Sequence, residues 1–332
     1  MNHPPFMDTT PAAFYHPDAV KTLPALFALL LTLPATACIW IDGTTLDGHH
    51  TRTEGEAATY LRRALAQTTD EKNVALQTKR LRYPEEPYLE EKEQEGVIQI
   101  LEGRYPEAIA TFQQSETEHP GRYSTAVNLG TAYELNGELE PALKWITEGI
   151  RRDPDSHRGT EWLHVEILKT RIKLKEDPEH LRHHHLIDLP DTYTRQTTLP
   201  IGGDTPTVEE IGTAIQYQLE ERLLFVKPPD PVVADLLYTL ALIEGRTNTV
   251  ESGLQILDLA TQFRYPHTAQ ITEAKQIYQI AIFRRQLKKW AAISLAAFAG
   301  IGLVYLAWRR KIFFLTGKAY RQHRAAKAAG HC

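Results

Sequence analysis

Cysteine is nearly missing from this 332-residue chain: only Cys38 and Cys332 occur, at opposite ends. Two residues so placed supply no CxxC metal or redox pair and make a stabilising disulfide unattractive, so helix packing must hold the fold. The motifs of common catalytic machinery are missing too. No Walker loop, GxGxxG, GxSxG or HExxH occurs, and Gly202-Gly203 alone is turn chemistry. Acidic residues are missing from the C-terminal end: from Arg284 onward there are eleven Lys or Arg and no Asp or Glu. Setting those eleven aside from the 37 basic residues leaves 26 against 42 acidic ones before that point. An acidic body with a wholly basic tail does not suit nucleic acid, but it does suit a body and tail on opposite sides of a membrane.

What is present begins with an ordinary apolar content of 42%, with no bulk signal of disorder, and 332 residues are long enough for one large or two modest domains. Two apolar segments stand out. The first, Leu23 to Ala37, follows Lys21 and ends in Ala35-Thr36-Ala37, the small-x-small pattern of a signal-peptidase site. Its unbroken core is short for a bilayer, and the bracketing Pro24 and Pro34 disfavour a buried helix. Residues 1–37 are therefore expected to be a secretory signal; Asp8 and Asp18 make its leading part awkward, and a start at Val20 would leave an ordinary signal with a spurious extension ahead of it. Cys38 follows directly, as in a bacterial lipobox, although Ala35 stands where Leu is usual; Cys38 is the lipidation candidate.

The second segment, Trp290–Trp308, holds nineteen residues without a charge. At a rise of ~1.5 Å per residue it spans ~28 Å, close to a hydrocarbon core. Trp290, Tyr305 and Trp308 mark its ends, and Arg284, Arg285, Lys288, Lys289, Arg309, Arg310 and Lys311 bracket it. A buried core helix would explain neither feature, so a transmembrane helix is expected. The basic tail at 309–332 and the signal both predict a cytoplasmic C-terminus, with the body in the periplasm or outside the cell on a single-pass inner-membrane anchor.

Residues 89–154 repeat. Gly96 recurs as Gly130, Gly103 as Gly137, Ala108 as Ala142 and Pro120 as Pro154, each at an offset of 34. Small Gly96 and Gly130 let a second helix approach, Gly103 and Gly137 suit a tight turn, and Phe112 and Ile146 fill the space beside Ala108 and Ala142. Pro120 and Pro154 stop the second helix of each unit. Leu129-Gly130-x-x-Tyr133 with Gly137, Ala142 and Pro154, and Gly103-x-Tyr105-Pro-Glu-Ala108 with Phe112 and Pro120, resemble the tetratricopeptide family; Glu95 and Gln99 depart from it. The resemblance implies an all-α fold, a tetratricopeptide-type solenoid of helical hairpins followed by the transmembrane helix. A degenerate third unit fits 233–266, through Leu237, Leu240, Ala241, Gly253, Leu257, Ala260 and Pro266.

Around the repeats, 38–88 is expected to hold an N-terminal segment and capping helices, with Ile39-Trp40-Ile41 a strand and Asp42-Gly43 its turn. Residues 155–285 should add further helices: one over Glu161 to Lys175, another over Val208 to Val226 opened by a Thr207/Glu210 capping box. Residues 186–206 form the longest irregular stretch, and helical pattern runs from Thr268 into the span as a stalk.

In the family, ligands lie on the face made by the first helix of each unit. Carried over, that face is Glu90, Glu93, Val97 and Ile100, then Ser124, Val127, Asn128, Thr131 and Glu134. Chaperone-binding members grip a C-terminal carboxylate there with Lys and Asn; Glu90 and Glu93 oppose that mode and favour a neutral or basic peptide. The expected function is a protein-binding adaptor or scaffold of the bacterial envelope, not an enzyme, with a protein or peptide partner, no cofactor and no oligomeric state implied. The competing expectation is a metal-dependent envelope enzyme. His157, Glu161 and His164 share one helical face, and His180, His183, His184 and His185 cluster nearby, with Glu179 and Asp188 able to complete a site. Capping and packing explain the first group as well, and an exposed helix end explains the second.

Overall fold

The computed structural model describes residues 41–53, 56–67, 71 and 91–329. The chain divides into residues 1–39 and 40–332, and every described residue lies in the second unit. The signal-like segment, Cys38 and Glu90 lie outside the described residues.

The unit begins with two short antiparallel strands, β1 (Ile41–Thr44) and β2 (His50–Thr53). Asp42 and Gly43 lie inside β1 rather than forming its turn, which falls at 45–49. Gly43 is needed for close approach instead: a Cβ there would run into Thr249. Helix α1 (Ala57–Ala66) follows, buried along Ala57, Ala58, Leu61 and Ala64.

Four helices then come as two pairs: α2 (Glu91–Leu101) with α3 (Tyr105–Glu118), and α4 (Tyr123–Leu135) with α5 (Leu139–Arg152). The tight turns hold Gly103 and Gly137 at φ 77° and 84°, where a side chain would be strained. A Cβ on Gly96 would meet the Phe112 ring at 2.5–2.8 Å, and one on Gly130 would meet Ile146 at 2.7 Å. The same packing device thus recurs 34 residues on. Phe112 with Ala108, Ile100 and Leu129 fills the space between α2, α3 and α4. Ile146 with Ala142, Val127 and Leu168 continues it between α4, α5 and α6 (Glu161–Glu176).

Beyond α6 lie an irregular stretch, α7 (Val208–Arg222), α8 (Pro231–Thr247) and α9 (Val250–Gln262). Thr207 accepts from the Glu210 backbone while Glu210 accepts from Thr207, so the capping box is closed. Helices α8 and α9 pack closely as a hairpin across 233–266, joined by Asn248 and Thr249. Together with α1, α6, α7 and Ile271, Ala274 and Tyr278 farther along, they enclose the largest core among the described residues.

Helix α10 (Thr268–Ala328) runs unbroken for 61 residues. Its first turns pack on the body through Ile271, Ala274, Tyr278 and Ala281, and the Tyr278 hydroxyl donates to Ala241 O at 2.9 Å. Among the described residues it is the one helix long and apolar enough to cross a membrane, with mean hydropathy 1.9 over its most apolar window and none of that window buried. The β-hairpin clasps the base of this helix. Thr44 donates to Glu251 through both N and Oγ1, Arg285 donates to Thr44 Oγ1 at 3.0 Å, and Lys288 reaches Gly48 O at 3.3 Å.

Candidate functional site

Glycine-driven packing of α4 on α5 leaves one line of α4 partly open to solvent: Ser124, Asn128, Thr131 and Leu135, at helical spacing. Other members of the expected ligand face are spent in packing. Ile100 and Val127 belong to the apolar cores, and Val97 packs half-buried beside Ile100. Glu93 is fully buried; Ser124 donates to it at 2.9 Å, Thr125 also donates to it, and Arg122 lies 3.5 Å away. Its charge joins α2 to α4 and is not offered to a ligand, so the electrostatic case it made against acidic ligands falls away.

The open line of α4 leads to a buried ionic cluster. Glu134, 3% exposed, takes Arg222 Nη1 from α7 at 2.5 Å and Arg171 Nη1 from α6 at 3.1 Å on one oxygen. Its other oxygen accepts from His164 Nε2 at 2.7 Å. One carboxylate on the second helical pair therefore ties down both α6 and α7.

Glu161 extends the cluster. His157 Nδ1 bonds to its Oε1, and His164 Nδ1 lies 3.4 Å from Oε2, an ion pair not aligned as a hydrogen bond. His157 reaches Glu161 from a turn rather than from the helix. His157, Arg158 and Gly159 all adopt left-handed backbone, at φ 46°, 60° and 67°. For the two non-glycine residues this costs on the order of 1–2 kcal/mol each, which the ionic contact and the ring packing of His157 on Tyr123 and Tyr217 help offset.

Burial works against the charges of Glu134, Glu161, His157 and His164, and their partners outweigh it. Glu134 is pushed up by burial but held well below the carboxylate range by Arg222 and His164. Glu161 is likewise opposed by burial yet lowered to about 2 by His157 and His164. His164 is raised to about 9, because Glu134 and Glu161 overcome its desolvation. His157 is raised by Glu161 against the same burial cost. The carboxylates and the bases of the cluster thus favour one another's charged forms.

A cavity of about 70 Å³ opens against it, between Thr131 and Leu135 of α4, His157, Glu161 and His164, and Gln218, Glu221, Arg222, Phe225 and Val226. Neither a family model nor a curated protein matches this chain.

Among the described residues no group of three or more His, Cys, Asp or Glu is arranged to hold a metal ion. Here the reason is visible: Glu134 is committed to two guanidinium groups, and both nitrogens of His164 face carboxylates. Farther along, His180 packs beside His184, the rings tilted by 32° with centroids 4.7 Å apart, and pairs with Asp177 at 3.8 Å, while His183 and His184 are exposed. His185 leaves that group altogether, bonding to Asp235 at 2.7 Å and stacking on Tyr238. Sequence reasoning grouped His157, Glu161 and His164 by helical spacing and named Glu134 for a different reason. It missed Arg222, Arg171, Gln218 and the residues after α7, since nothing in the chain signals that position 222 meets position 134.

Proposed function

We propose that this chain is a membrane-anchored helical-repeat protein whose body holds a protein or peptide partner outside the cytoplasm. The observation that carries the reading is the open line Ser124, Asn128, Thr131 and Leu135, on the first helix of the second 34-residue unit, leading into the cavity beside Glu134. Tetratricopeptide-type units stack their apolar faces and leave such a line for an extended ligand. Half-exposed polar side chains above an apolar spine suit a peptide that needs backbone hydrogen bonds and some apolar contact. The unbroken run from the body through Trp290–Trp308 supports a single-pass anchor, and the basic tail supports a cytoplasmic C-terminus. The commitment of Glu134 to His164, Arg171 and Arg222, and of His164 to Glu134 and Glu161, favours this binding role over metal-dependent chemistry at the same residues.

The test is site-specific photocross-linking in intact cells. A cross-linking residue at Asn128 or Thr131 is expected to yield one discrete adduct, while one at the exposed Gln114 of α3 yields none. Equal adducts at all three sites, or none at Asn128 and Thr131, would overturn the reading.

A further inference from the structure

Among the described residues, two buried polar atoms in the cluster lack an aligned hydrogen bond: Arg222 Nε, a donor, and Glu161 Oε2, an acceptor whose nearest partner is His164 Nδ1 at 3.4 Å. Their residues are 8% and 3% exposed, and both line the cavity. An unpaired buried donor or acceptor costs on the order of 1–3 kcal/mol, more at a charged group, so such atoms call for a partner supplied from outside.

The chemistry of that partner follows from the wall. Among the described residues, its ionisable side chains are three acids, Glu134, Glu161 and Glu221, and three bases, His157, His164 and Arg222. Acids and bases are equal in number there, and the neighbouring carboxylates raise both histidines toward the protonated form. A ligand bearing net charge would bring an uncompensated ion into a buried site. A neutral group carrying both a donor and an acceptor would satisfy Arg222 and Glu161 together. Leu135, Phe225 and Val226 supply apolar wall for a short methylene stem.

We infer that this cavity is an anchor pocket for a primary carboxamide, the side chain of asparagine or glutamine in a bound peptide, whose N–H donates to Glu161 and whose oxygen accepts from Arg222. The inference rests on the partner-binding reading and names the chemistry of its deepest contact. It also explains why the cluster is built of paired ions: they hold the donor and acceptor in place without offering net charge to a competing lysine or glutamate.

The experiment follows histidine imidazole resonances by nitrogen-15 NMR on the full chain in lipid nanodiscs. Acetamide, acetate and methylammonium are compared first; then blocked tripeptides with a central Gln, Glu, Lys or Leu. Acetamide and the Gln peptide are expected to shift the His157 and His164 signals saturably, the Gln peptide binding at least roughly tenfold tighter than the other three peptides. Glu161→Gln is expected to weaken acetamide by roughly tenfold, with circular dichroism confirming the fold; the comparison of probes on the unaltered protein stands without it. Equal response to all probes, no response, or preference for Glu or Lys would overturn the assignment, as would a bound water that no probe displaces. Binding of acetamide without the Gln peptide would overturn the peptide anchor and leave a site for a free small amide. Failure of the amides while cross-links at Asn128 and Thr131 persist would remove this pocket and leave the partner-binding reading intact.

Discussion

Glu134→Gln is the substitution whose consequences the structure specifies most fully. The variant keeps shape but removes the charge that Arg222, Arg171 and His164 share. Removing one partner from a buried ion pair costs roughly 3–5 kcal/mol, because the remaining charges stay buried and face one another. The pH dependence changes as well. His164 is raised from 6.5 to about 9 in the fold by Glu134 and Glu161, against the cost of burying its charge. A base raised this way stabilises the fold in full below its unfolded value and gives up that contribution as pH climbs through about 9. The difference corresponds to about 3 kcal/mol. On the acid side Glu161, held near 2 instead of 4.5, loses its contribution as pH falls below the unfolded value toward 2. The two contributions describe shared contacts and do not add. Urea unfolding of the full chain in detergent, followed by far-ultraviolet circular dichroism, is expected to show stability falling by about 3 kcal/mol between about pH 6 and about pH 9. In Glu134→Gln the starting value drops and the alkaline fall shrinks to less than about half, since His164 keeps only its weaker pairing to Glu161. Parallel pH curves for the two proteins would refute the assignment of that fall to His164 and Glu134.

Three further outcomes follow from packing and caps. Gly130→Ala places a methyl 2.7 Å from Ile146 Cδ1 and 3.1 Å from its backbone N; a loss of about 1–3 kcal/mol is expected, with partial recovery when Ile146→Val is added, and a neutral result in the same urea assay would deny the close approach. Thr207→Ala opens the capping box of α7 and should cost about 1 kcal/mol, together with faster amide exchange in its first turn; unchanged exchange there counts against the cap. Glu251→Ala removes the acceptor of both Thr44 hydrogen bonds and the pairing with Arg285 at 3.5 Å. Limited proteolysis should then cut within 41–53 more quickly, and an unaltered rate would show that the hairpin is held some other way.

Local patterns in the chain determined a good deal here. The glycine, alanine and proline spacing of 34 marks the turns between α2 and α3 and between α4 and α5, and the ends of α3 and α5, because each position answers to a short-range steric demand. The uncharged nineteen residues between basic clusters likewise mark out the apolar part of α10, and Thr207 with Glu210 marks the start of α7. Tertiary structure alone decided which polar residues stay open. Glu93 looked like a surface charge and is fully buried, since Ser124, Thr125 and Arg122 of the next unit close over it. Glu134 looked like one more groove residue and became the hub of an ionic cluster, because the packing of α6 and α7 delivers Arg222 from 88 residues away. Asp42-Gly43 looked like a turn and is strand, its glycine demanded by Thr249 from across the body. Periodicity reports which face of a helix is apolar; it carries no record of which distant ion arrives to neutralise a buried charge. That is a matter of three-dimensional distance, and the site at Glu134 exists only there.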